Sequence, residues 1–70
     1  MRDHGYARGL AVWARNPCGF TWEQVKPIYI PRSLDDIREW AYQDCRDAGI
    51  QGDTLDDAID RIDSVLHSLS

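Results

Sequence analysis

Asp56, Asp60 and Asp63 recur at spacings of four and three within "TLDDAIDRIDSVL", which sets three carboxylates along one side of a helix. Such a row can hold a cation or imitate nucleic-acid phosphates toward a basic protein. Cation binding is disfavoured, because the acid-rich run from Asp44 to Asp57 lacks the D-x-[DN]-x-[DN]-G spacing closed by Glu that wraps calcium. Like charges three or four apart repel by roughly 0.2–0.5 kcal/mol per pair, and Asp is a poorer helix former than Glu. Stability alone therefore does not select the stripe, and it is a candidate surface for a basic partner. The opposing observation is that nine of the ten acids after residue 32 are Asp, so the preference is chain-wide. Asp56 and Asp57 suit the first turn of a helix, and Asp57 stands four residues before Arg61.

Other chemistry finds less support. Ser64 adjoins Asp63, but neighbours on a helix do not face each other. No glycine-rich phosphate loop, G-x-S-x-G, H-E-x-x-H or CxxC occurs. His4 and His67 lie near opposite ends of the chain, and Cys18 and Cys45 have no ligand-spaced neighbour, so both thiols are expected to be free. Seventy residues also leave little room for a substrate pocket. The reading is of a protein that is not an enzyme, with no catalytic, cofactor or metal site.

Charge is divided along the chain. Residues 1–32 carry five basic and two acidic groups, net +3, and residues 33–70 carry three basic and ten acidic groups, net −7. Arg2, Arg8, Arg15, Lys26 and Arg32 interleave with Tyr6, Trp13, Trp22 and Tyr29, a combination that can hold single-stranded nucleic acid. The net charge of −4 and the need of a small core for those rings argue against it. No apolar run approaches a membrane span and the first residues lack a signal-peptide pattern, so a cytoplasmic protein is expected.

The elements that position these groups divide at the same point. In "RNPCGF", Asn16, Pro17 and Gly19 suit a type I turn, which predicts a β-hairpin with strands near residues 8–15 and 20–30. That register sets Trp13 opposite Trp22, Leu10 opposite Val25 and Tyr6 opposite Tyr29. The rival reading is helical: "TWEQ" spells a capping box with Thr21 at its head, and Pro27 limits any helix there to one turn.

Residues 33–70 predict a helical hairpin. Ser33 caps a helix over 34–48 that Gly49 ends, and Thr54 caps a second helix with Leu55, Ala58, Ile59, Ile62, Val65, Leu66 and Leu69 on its apolar face. The expected fold is a single α+β domain of ββαα order, an amino-terminal hairpin packed on an antiparallel helix pair, with an all-α short bundle as the alternative.

A helix pair covers one face of a two-stranded sheet. The more aromatic face, with Ala7, Ala11, Trp13, Phe20, Trp22, Ile28 and Ile30, is read as core, which leaves Tyr6, Leu10, Val12, Val25 and Tyr29 as contact residues. The expected function is a small non-catalytic protein-binding module, an inhibitor, adaptor or regulator that docks on another protein, including a larger host complex, or pairs with itself as a homodimer. Its size and charge match small inhibitors that phages and mobile elements direct at host machinery. The alternatives are an acidic nucleic-acid mimic that inhibits a nucleic-acid-processing enzyme, and a small nucleic-acid binder using the basic aromatic half.

Overall fold

The computed structural model describes residues 2–70, with Arg2 as backbone alone. Four helices follow in order: α1 (Arg2–Arg15), α2 (Trp22–Val25), α3 (Leu34–Asp47) and α4 (Gly52–Leu69). There is no strand among the described residues, so the β-hairpin and the α+β class are overturned in favour of the all-α arrangement.

The reason lies in residues 6 to 14. Tyr6, Ala7, Leu10, Ala11 and Ala14 fall on one side of a helix at 3.6 residues per turn, and each is at most 1% exposed. Gly5 and Gly9 each cost a helix about 1 kcal/mol relative to alanine. Burying Tyr6 and Leu10 returns roughly 1.5–3 kcal/mol apiece, enough to outweigh both glycines. Asp3 in the first turn and Arg15 in the last complement the helix dipole.

The chain does reverse where the turn was expected, one residue later. The Asn16 N–H still donates to Val12 O at 3.2 Å, continuing α1, and the Phe20 N–H closes the turn on Pro17 O at 2.9 Å. Cys18 (φ 52°) and Gly19 (φ 81°) both occupy the left-handed region, as the central residues of a type I′ turn do. Here that turn joins a helix to a returning segment, and the Trp13 indole N–H locks it by donating to Phe20 O at 3.0 Å.

After the turn, the Thr21 N–H donates to Gln24 Oε1 at 2.8 Å at the head of α2, which is one turn long and stops before Pro27. Ser33 Oγ accepts from the Asp36 N–H at 3.4 Å and begins α3. At its other end Gly49 (φ 82°) donates to Arg46 O and Ile50 to Cys45 O, the paired bonds of a Schellman cap. The fourth helix starts two residues before the expected Thr54 cap, with Gln51 as N-cap, so Thr54 lies inside the first turn.

Packing is a three-helix bundle in which α1 lies against α3 and α4. The core holds Tyr6, Leu10, Trp22, Ile37, Cys45, Ile62 and Leu66 together with alanines from all three long helices. Polar groups pin the helices. The Arg61 guanidinium donates to Ala14 O at 2.6 Å, capping the end of α1 from α4. Arg15 pairs with Asp44 at 3.1 Å, joining the basic and acidic halves. Among the described residues no helix is long and apolar enough to cross a membrane.

Candidate interaction surface

The returning segment 20–31 is tied to α1 by aromatic contacts. The Trp22 indole N–H donates to the Tyr6 hydroxyl at 2.9 Å, with both side chains buried. The Tyr6 ring meets Trp22 edge-on at 5.4 Å and Tyr29 at 5.3 Å. The Trp22 ring lies over α1 at Gly9, where an added Cβ would meet Cη2 at 3.6 Å, an ordinary van der Waals contact.

Beside those contacts runs an open apolar groove of about 640 Å³, lined by Gly5, Gly9, Val12, Phe20, Val25 and Pro27 among others. Pro27 also borders a second cleft of about 580 Å³ formed with Ile28, Tyr29 and Ile30. Val12, Phe20 and Val25 are about half exposed, Ile28 is wholly exposed and Ile30 is 84% exposed. Two clefts that share Pro27 thus concentrate large apolar side chains in water.

The structure separates the five residues predicted for the sheet surface. Val12 and Val25 line the groove. Tyr6 and Leu10 are core and cannot be contact residues, and Tyr29 is half-buried against Tyr6. Alternation at period two had set Tyr6, Leu10 and Val12 on one side; on a helix Val12 stands about 200° around from Leu10. Phe20, Ile28 and Ile30, which that alternation assigned to the core, are the exposed ones. Their signal was Pro27 and Pro31, which bracket Ile28, Tyr29 and Ile30 so closely that the segment can enter neither a helix nor a central strand.

The aspartate stripe also divides. Asp56 and Asp60 are exposed, and neither forms an ion pair among the described residues. Asp63 is engaged within the bundle, accepting from Arg38 Nε at 3.2 Å and from the Tyr42 hydroxyl. Burial, then the hydrogen bond to Asp63, pushes the Tyr42 phenol up to about 12, and the same carboxylate raises Arg38. Arg61 turns to Ala14 O, so the expected pairing with Asp57 is replaced by a helix cap.

The remaining reactive groups are dispersed. Burial pushes the Cys45 thiol up. Cys18 is exposed at the turn, borders the groove and donates to Asn16 Oδ1 at 3.2 Å. His4 tilts over Trp40 at 5.0 Å. Among the described residues no three metal-ligating side chains gather. The side chain of Arg2, one of the five basic residues of the nucleic-acid reading, lies outside the described residues.

Comparison with protein-family models, with curated proteins and with solved structures finds no match to this chain.

Proposed function

We propose that this chain is a small non-catalytic binding module that docks on protein through the apolar face made by the groove and by Ile28 and Ile30, and so acts as an inhibitor, adaptor or regulator. One observation carries the reading. Val12, Phe20, Val25, Ile28 and Ile30 are exposed on a chain in which five of the twelve buried core residues are alanine. Side chains of that size favour leaving water by roughly 1.5–3 kcal/mol each when fully buried, and a partner's surface can bury them. A cytoplasmic setting suits the two unpaired thiols.

The nucleic-acid reading is less favoured, because two of its four rings, Tyr6 and Trp22, are at most 4% exposed. The acidic-mimic reading keeps Asp56 and Asp60 on α4 but not the free carboxylate of Asp63.

A photo-crosslinking residue placed at position 28, with a control at position 57 on α4, tests the proposal in the cells that make the protein. Protein adducts should form at 28 and persist as salt rises, since apolar contact is little screened. Adducts no more abundant at 28 than at 57 would overturn it.

A further inference from the structure

We infer that the occupant of the apolar groove is a second copy of this chain, related by a two-fold axis. The inference rests on the apolar face being a binding surface and goes on to say what covers it. The face carries both parts that an isologous contact needs, a recess and a projection side by side: the groove over Gly5, Gly9 and Val12, and the outward pair Ile28 and Ile30, with Pro27 bordering both clefts. In a two-fold pair each copy's isoleucines enter the other's groove, so one surface complements itself.

Electrostatics select this face. Two copies of a chain with net charge −4 repel, yet none of the ten acids after residue 32 lines either cleft. Among the described residues Arg8 is the sole charged residue lining the groove, and Glu23 and Lys26 beside the second cleft neutralise each other at 2.8 Å. The α4 face, with Asp53, Asp56, Asp57 and Asp60, would set acid against acid.

The area also suits a second copy. The exposed parts of the five large side chains amount to roughly 500 Å², about a tenth of the molecule's 4839 Å². A partner bringing the same face doubles the buried total to about 1,000 Å², the lower bound of specific interfaces. An interface of that size belongs with weak, reversible association.

Sedimentation equilibrium on the purified chain tests this, with Ile28→Glu as the perturbing variant and helix content by circular dichroism as the control. The wild type should approach twice the 8.0 kDa chain mass as concentration rises. Because each substitution acts twice in a two-fold pair, Ile28→Glu should weaken association by at least ~100-fold. Cys18, on the groove's border, gives a readout without mutation: its reaction with a bulky maleimide should slow with increasing protein concentration.

A chain that stays monomeric to about 1 mM, where even weak association would be populated, or a dimer indifferent to Ile28→Glu, overturns the inference. Monomeric protein together with position-28 adducts to another protein would sink the second copy and leave the binding module standing. Monomeric protein without such adducts would remove both.

Discussion

Replacing Tyr6 by Phe removes one oxygen from the most enclosed side-chain hydrogen bond among the described residues. Tyr6 is 1% exposed and Trp22 4%, and the hydroxyl accepts the indole N–H at 2.9 Å. The three-ring packing of residues 6, 22 and 29 survives the change, so the loss is confined to the hydrogen bond. An orphaned buried donor costs about 1–3 kcal/mol. At about 0.05–0.15 kcal/mol per residue, a chain of this length has only about 3.5–10 kcal/mol in all. Each kcal/mol moves the midpoint of a small domain by about 4–8 °C, so a fall of about 8–16 °C is expected for the middle of that range. Thermal unfolding followed at 222 nm measures it. In a Trp22→Phe background the same substitution leaves no donor stranded and should cost less than about 0.5 kcal/mol. Equal costs in the two backgrounds, or none in either, would refute the claim that this bond fastens the 20–31 segment to α1.

The divided aspartate stripe predicts opposite outcomes for neighbouring charge reversals in urea unfolding. Asp60→Lys relieves a like-charge pair and should be neutral or stabilising by up to about 0.5 kcal/mol, whereas Asp63→Lys strips Arg38 and Tyr42 of their acceptor and should cost about 1–2 kcal/mol. Equal effects would mean Asp63 does not join α3 to α4. Tyr42 predicts an alkaline effect: its phenol ionises near 10 unfolded and near 12 folded, so the unfolded chain binds fewer protons in that window. Its contribution is complete below pH 10 and is lost as pH rises toward 12. The wild type should lose about 1 kcal/mol more than Tyr42→Phe across that window, allowing for solvent screening at a partly exposed site. Parallel pH profiles for the two proteins would count against it.

The second half of the chain was legible because its local signals agree. Ser33, Gly49 and the Leu55-to-Leu69 face each point to the same pair of helices. The first half was not, because glycines at 5 and 9 and a Pro-Gly turn argue against helix locally, while the burial that overrides them comes from α3 and α4, far away in sequence. Two contacts drawn from the hairpin register nevertheless occur: Trp13 lies 5.6 Å from Trp22, and Tyr6 lies 5.3 Å from Tyr29. Seven residues of α1 advance about 10 Å, and the returning seven, shortened by the helical turn Trp22–Val25, keep pace. Equal spacing thus survives the exchange of strands for helix and coil. The groove itself could not be read in advance, since its wall depends on which side of α1 faces α3.

The placement of Ile28 and Ile30 follows from how their neighbours are held. Tyr29 packs inward on Tyr6, Pro31 is buried, and alternation along this short stretch turns both isoleucines outward. Neither can be drawn in without displacing Tyr29 from the ring cluster that fastens the segment. Meanwhile five of the twelve buried core residues are alanine, the smallest apolar side chain with a Cβ. A chain under selection for stability alone would place its larger aliphatics inside and its alanines at the surface, because each buried methylene contributes about 0.8 kcal/mol. Here the order is inverted at one face. Small residues let the three long helices close tightly on one another, while the returning strap lies against α1 through Trp22 and Tyr29 and keeps its isoleucines outside. The apolar face is therefore not what stability alone would select, and a surface backed by a packed bundle has little ordering left to do on binding.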